Sequence, residues 1–262
     1  MEPHTHLDFF YLSDLHLELR DVPISYDELS ADCSSRVLLI CGDLGDPMSK
    51  WYKEFLTTAS QHFSHVFLIS GNHEYYSYHS MQEIDDQIDH LCSGYANVHY
   101  LNNRSYDLTD QLTIVGTTLW SRITRFDQQE SIRDFKKIHL TEKHTKITPN
   151  DVNRLYENNT QWLRHELERL HALQRKIIVM THHTPSYQLI APKFQGNPIN
   201  CYFANHLEEL IKEPVIAWFC GHTHQSCLQT INGVYCGINS LGYCGEETGF
   251  DLTSHFSFEL KP

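Results

Sequence analysis

The sequence predicts an α/β fold whose central strands run largely parallel, and three observations predict it. Five apolar runs have strand length, amphipathic stretches separate the early ones, and each run ends in a short polar cluster. Alternating strand and helix patterns are those of βαβ units and a parallel sheet. In open α/β sheets ligands bind outside the carboxyl ends of the strands, so five polar clusters placed there can converge on one site.

The first run, Phe9-Phe10-Tyr11-Leu12, leads into Asp14-Leu15-His16. Val37-Leu38-Leu39-Ile40 leads into Gly42-Asp43-Leu44-Gly45-Asp46, and Val66-Phe67-Leu68-Ile69 into Gly71-Asn72-His73-Glu74. Amphipathic helices are expected from Lys50 to about His62 and from Ser80 to Leu91. After Leu101 short strands are expected, with a turn at Asn102-Asn103 and an apolar run at Leu112-Thr113-Ile114-Val115. Residues 121–150 are the least regular stretch. They hold Arg122, Arg125, Arg133, Lys136, Lys137, Lys143 and Lys146 against Asp127, Glu130, Asp134 and Glu142, and form either a substrate-facing cap or a solvated helical excursion.

Thr148-Pro149-Asn150-Asp151 is a helix start signal for a long helix from Asp151 to about Leu173. Ile177-Ile178-Val179-Met180 then leads into Thr181-His182-His183, and Val215-Ile216-Ala217-Trp218-Phe219 into Gly221-His222-Thr223-His224. Between Thr184 and Cys201 lie three prolines and a glycine without periodicity, a loop of functional length. Asn232-Gly233 between Ile231 and Val234 is a two-residue hairpin turn, and Phe256-Ser257-Phe258-Glu259-Leu260 alternates as an edge strand.

At 262 residues, with 40% hydrophobic and 20% charged, the chain fits one domain over 1–262, with 121–150 as the candidate cap. A net charge of -13 disfavours nucleic acid and anionic membrane surfaces as partners. A dinuclear metal site would invert that field locally and keep small anionic substrates open. No apolar stretch approaches the ~20 residues of a spanning helix, and Met1-Glu2-Pro3-His4 lacks a basic region, so a cytoplasmic protein without a membrane segment is expected. Eight cysteines without C-x-x-C spacing read as reduced thiols, with Cys41 and Cys220 as small core residues. Of 19 histidines only a few fall in the five clusters. His4 and His6 are expected in a frayed tail without a metal role, because nothing anchors the chain before Phe9.

Carboxylate, imidazole and amide oxygen form a ligand set for borderline divalent ions such as Mn, Fe, Zn, Co or Ni, and no cluster offers a thiolate. Asp14 and His16, two apart on an extended segment, are expected to point to one side, as are His222 and His224.

In this order, D-x-H, G-D-x-x-D, G-N-H-[DE], a histidine motif and G-H-x-H resemble the calcineurin-like metallophosphoesterase superfamily, over Asp14 to His224. The resemblance implies a four-layer α/β/β/α sandwich with a dinuclear metal site at the strand C-terminal ends. It implies one ion on Asp14, His16, Asp43 and His224 and another on Asn72, His182 and His222, with Asp43 bridging. His182 is favoured over His183, which is left to support the site or touch substrate. The implied cofactors are two divalent ions, Mn, Fe or Zn, and the implied partner is a small phosphate ester, with no oligomeric state assigned. The implied reaction is hydrolysis of phosphate mono- or diesters by a metal-bridging hydroxide. A nuclease of the same superfamily and a non-catalytic metal-binding scaffold are the alternatives.

By the same resemblance His73 is the general acid and Asp46 the carboxylate that orients it. Pro47 stands where the phosphoprotein phosphatases carry an arginine, so a bidentate phosphate fork is missing there. The runs Gly116-Thr117-Thr118-Leu119-Trp120, Thr181-His182-His183-Thr184-Pro185-Ser186 and Asn239-Ser240-Leu241-Gly242-Tyr243 resemble a bacterial-type branch whose members mostly lack an assigned substrate. Leu241 stands where that branch commonly shows an arginine.

Overall fold

The computed structural model describes residues 5–20, 35–141 and 145–260. In chain order the elements are β1 (Thr5–Leu12), β2 (Arg36–Cys41), α1 (Lys50–His62), β3 (His65–Ile69), α2 (Met81–Cys92), β4 (Val98–Tyr100), β5 (Arg104–Asp107) and β6 (Leu112–Thr117), then α3 (Asp134–Lys137), α4 (Pro149–Ala172), β7 (Lys176–Thr181), β8 (Val215–Cys220), β9 (Ser226–Ile231), β10 (Val234–Asn239) and β11 (His255–Leu260). One sheet has the order β11-β1-β2-β3-β4 and the other β5-β6-β7-β8-β10-β9. Strands β1 to β4 run parallel, as do β6, β7, β8 and β10, and the edge strands β11, β5 and β9 are antiparallel.

Side-chain parity explains why the runs are apolar throughout. Phe9, Tyr11, Val37, Leu39, Phe67 and Ile69 meet Ile178, Met180, Ala217 and Phe219 between the sheets. Their neighbours Phe10, Leu38, Ile40 and Leu68 face Tyr52, Phe55 and Leu56 of α1 and Ile84 and Ile88 of α2. On the far side Ile177, Val179 and Trp218 pack on Leu163, Leu167 and Leu170 of α4. Strands buried on both faces are hydrophobic at every position, and the result is four layers, α/β/β/α. Tyr11 and Phe219 stack across the inter-sheet layer with centroids 4.4 Å apart.

The helices start where their caps place them. Ser49 accepts from Tyr52 N, and Ser80 with Glu83 and Thr148 with Asp151 form capping boxes, with Pro149 opening α4. Asn232 and Gly233, at φ 49° and 84°, form the turn between β9 and β10. The expected fraying before Phe9 is not what the structure shows. β1 begins at Thr5 because β11 pairs with it from Thr5↔Leu260 onward, and His6 Nε2 lies 2.9 Å from Asp8 Oδ1. His4, Glu142 and Lys143 lie outside the described residues. Among the described residues no helix is long and apolar enough to cross a membrane.

Candidate metal centre

The five clusters follow the C-terminal ends of β1, β2, β3, β7 and β8, and most leave their strand by a left-handed kink. Asp14, His16, Asp43, His222 and His224 have φ of 54°, 46°, 53°, 69° and 44°. The expected strand-like alternation of Asp14 with His16, and of His222 with His224, is therefore replaced by left-handed backbone beyond the strand ends. Non-glycine residues rarely adopt that region, and such strain collects at functional sites. Asp14 N and His16 N donate to Gly42 O and Asp43 O, both at 3.0 Å, and Gly221 N donates to His182 O at 3.0 Å. A Cβ on Gly71 would meet Asp43 Oδ1 at 2.2 Å and His182 Cε1 at 2.6 Å, so only glycine lets these loops close on each other.

The kinks bring donor atoms together in two groups. His16 Nε2 and His224 Nε2 lie 3.1 Å apart, and Asp14 Oδ1 is 3.5 Å from His224 Nε2. His182 Nε2 lies 3.1 Å from both Asn72 Oδ1 and His222 Nδ1. Asp43 turns one oxygen to each group, Oδ2 at 3.9 Å from His16 Nε2 and Oδ1 at 3.5 Å from His182 Nε2. The separations of 3.1–3.5 Å would suit neighbouring ligands of a divalent ion with bonds of about 2.0–2.2 Å. His183 lies outside both groups: its ring packs between Trp120 and His222, with centroids at 5.2 and 4.2 Å.

Whether these residues suit a cation is decided by their outer contacts. His182 Nδ1 sits 2.9 Å from Cys41 O, which can only accept, so Nδ1 carries the hydrogen and Nε2 turns a lone pair inward. Asn72 Nδ2 donates to Asp134 Oδ1 at 2.8 Å, which leaves Asn72 Oδ1 as the inward atom. Two acceptors thus face each other at 3.1 Å in a buried site, an arrangement that calls for a cation between them. His224 Nδ1 meets Glu246 Oε2 at 2.6 Å and His16 Nδ1 meets Glu18 Oε1 at 3.3 Å, carboxylate supports that likewise free each Nε2.

Charge tells the same story. Burial, with Glu74 and Asp14 close by, pushes the Asp43 carboxyl well above its usual range. Burial also depresses His182 to about 4 and His222 well below its ordinary value, so both imidazoles are neutral and ready to coordinate. Burial opposes charge on His224 too, but Asp14 and Glu246 prevail and raise it to about 9.

His73 joins His16 and Asp43 in a third grouping of possible donors, and its backbone N–H donates to Asp43 Oδ1 at 2.8 Å. The expected partnership with Asp46 is not present. Asp46 Oδ1 accepts from Met48 N at 2.9 Å in the turn before α1, and the carboxylate on His73 Nδ1 is that of Glu18, 3.1 Å away. A single turn of 3-10 helix, Leu17–Leu19, folds Glu18 back over His16, so one oxygen serves both rings. Burial opposes ionisation of Glu18, but the hydrogen bonds from His16 and His73 hold it down to about 2. The other face of the ring, Nε2, meets the Tyr243 hydroxyl at 3.0 Å.

The model of the calcineurin-like phosphoesterase family matches residues 7–226. The chain belongs to the calcineurin-like phosphoesterase family. An uncharacterized protein of Acanthamoeba polyphaga mimivirus is 31% identical over 274 residues, covering 95% of this chain and 96% of the relative. Among solved structures, the phosphopantetheinyl hydrolase of Mycobacterium tuberculosis aligns at TM-score 0.64 and 15% identity, over 91% of this chain and 90% of that one. The TT1561 protein of Thermus thermophilus aligns at 0.55 and 11%, over 90% of each chain. A dimetal phosphatase from Danio rerio aligns at 0.51 and 14%, over 90% of this chain and 87% of its own. At these identities the solved structures establish the shared fold.

Two buried acids brace the phosphoesterase's donor loops. Glu74 accepts from Gly71 N at 2.8 Å and Asp43 N at 3.0 Å through one oxygen and from Leu44 N at 2.7 Å through the other, fastening the second cluster to the third. Burial raises its carboxyl to about 7 even so. Glu74→Gln sets an amide NH2 against backbone donors, and loss of at least one charge-assisted bond is expected to cost about 1.5–3 kcal/mol, read from the urea midpoint at constant slope.

Asp134, from the irregular stretch, accepts from both Asn72 Nδ2 and the Tyr76 hydroxyl, at 2.8 and 2.7 Å. Asp134→Asn removes the bias that keeps Asn72 Oδ1 inward. A loss of about 10–100-fold in metal affinity is expected, by calorimetric titration of metal into stripped protein.

A cavity of about 410 Å³ opens over the cluster, lined by Asp43, Asn72, His73, His222 and His224 on its floor. Its walls come from the two segments that sequence left open, Ser131 to Asp134 and Ile190 to Phe203.

Proposed function

We propose that this phosphoesterase hydrolyses phosphate esters at a pair of divalent ions held by Asp14, His16 and His224 on one side and by Asn72, His182 and His222 on the other, with Asp43 shared. The observation that carries the reading is the facing of inward acceptors, His182 Nε2 against Asn72 Oδ1 at 3.1 Å, beside a buried carboxylate that turns one oxygen to each group. When bound, such ions supply Lewis-acid stabilisation of phosphate oxygens and a nucleophile at neutral pH. An all nitrogen and oxygen donor set favours Mn, Fe or Zn.

The chain's own residues do the rest. His73 delivers a proton to the leaving oxygen from the cavity floor, and Glu18 on Nδ1 fixes the direction of its ring. Tyr243 holds Nε2 directed into the cavity until substrate arrives. The whole chain acts as one domain with residues 121–150 as its cap. The seven described cysteines are all free, in keeping with a cytoplasmic enzyme. The test is a screen of the protein, stripped and reloaded with Mn, Fe or Zn, against mono- and diesters. Turnover that follows metal loading is expected, and a fully loaded protein without turnover on any ester would count against the reading.

A further inference from the structure

Arg133 is the only arginine or lysine lining the cavity among the described residues. Its side chain is exposed, and among those residues no carboxylate pairs with it, whereas Arg125, Arg154, Arg164 and Arg169 each have one. The backbone beneath it is fixed. Lys136 N and Lys137 N donate to Arg133 O at 2.9 and 3.0 Å, and the next residue is Asp134, whose buried carboxylate is bonded to Asn72. An unpaired guanidinium is thereby anchored one residue from the group that orients a metal donor. It lines the same cavity as Tyr243, whose hydroxyl touches His73.

Another wall of the cavity has the opposite character. Ile190, Ala191, Phe194, Ile199 and Phe203 line it. The Phe203 ring stacks on His222 with centroids 4.8 Å apart and planes 28° apart, so the apolar surface runs up to the metal donors. The segment is shaped by turns and tied by Asn200 Nδ2 to Phe194 O at 2.8 Å and by Thr184 N to Phe203 O at 3.2 Å, which makes it a formed wall. Ligand pockets of this size are lined mainly by apolar side chains, with a few placed polar groups that orient the ligand.

We propose that Arg133 binds a phosphoryl oxygen of the substrate, and that the substrate is a phosphate ester whose alcohol carries a flat apolar group seated against Phe194, Ile199 and Phe203. The inference rests on the phosphoesterase reading and adds its specificity. A guanidinium presents a planar fork of donors suited to phosphate, and ring burial against aliphatic and aromatic side chains supplies selectivity for the alcohol.

Two measurements on the metal-loaded protein test it. The first is calorimetric binding of inorganic phosphate, which needs no turnover. Arg133→Ala is expected to weaken it about 10–100-fold at unchanged metal content, with Arg133→Lys recovering part of the loss. Unchanged phosphate affinity in Arg133→Ala overturns that half of the proposal.

The second compares kcat/KM on 2-phenylethyl phosphate and 2-hydroxyethyl phosphate, whose alkoxide leaving groups make similar demands on the acid. The wild type is expected to favour the phenylethyl ester by about 10–100-fold, and Phe194→Ser to narrow that ratio. A wild-type ratio near one overturns the apolar subsite while leaving the phosphoesterase reading intact. No turnover on either monoester, in protein that holds its metals and binds phosphate, overturns the apolar-alcohol subsite, while the phosphoesterase reading is decided by the wider screen of mono- and diesters.

Discussion

Asp43→Asn is expected to abolish metal-dependent activity, by about 10³-fold or more, and to reverse the order of stability between variant and wild type when metal is added. In the wild type without metal, Asp43 is buried with Glu74 and Asp14 near it, and its carboxyl lies well above the usual range. A carboxyl raised on folding costs stability once pH climbs through the ordinary carboxylate range, and the cost is complete above the raised value. Below the ordinary range that cost vanishes. At neutral pH the metal-free variant should therefore unfold at higher urea than metal-free wild type, since the amide keeps an acceptor for His73 N and loses the charge. Saturating metal should stabilise the wild type by about 4 kcal/mol at a thousandfold excess over Kd, and the variant far less. Urea midpoints with and without metal read both effects, and a variant that gains as much from metal as wild type would exclude Asp43 as the shared donor.

His73→Ala should retain its metals and lose about 10²–10⁴-fold on alkyl phosphates, with a far smaller loss on nitrophenyl phosphates. An alkoxide needs a proton as it departs, whereas nitrophenolate leaves with little help. Glu18→Gln is expected to show a weaker form of the same bias, because the carboxylate on His73 Nδ1 is Glu18. It should also loosen metal binding, since the same oxygen supports His16. Asp46→Asn should change neither, because that side chain bonds Met48 N. The comparison is kcat/KM on matched esters with metal content measured for each variant. Equal losses of His73→Ala on both leaving groups would return the ring to a positioning role.

The Glu18 case shows where sequence reading stops. Strand positions and the place of the site were legible, because apolar runs buried on both faces fix β1, β2, β3, β7 and β8 and ligands gather beyond strand ends, whereas the four layers came only with the family resemblance. His182 and His183 were harder, and the carbonyl of Cys41 on another strand is what fixes the ring of His182. Glu18, two residues after His16, was visible as a residue, but its direction depends on a single 3-10 turn with no periodicity to announce it. Asp134 contacts Asn72 from 62 positions away, and Tyr243 and Glu246 reach His73 and His224 from the last loop. Such contacts are set by tertiary closure and leave no local signature. The polar strand β5, Arg104–Asp107, falls among the short strands expected after Leu101, but its bounds could not be read because an exposed edge needs no apolar alternation.

Whether two ions share Asp43 is decided by anomalous scattering from crystals of the metal-loaded protein, collected at the absorption edge of the loaded metal. Two peaks are expected, one on Asp14, His16 and His224 and one on Asn72, His182 and His222, with Asp43 contacting both and His183 contacting neither. A single peak, or a second ion held by His183 in place of His182, would contradict it.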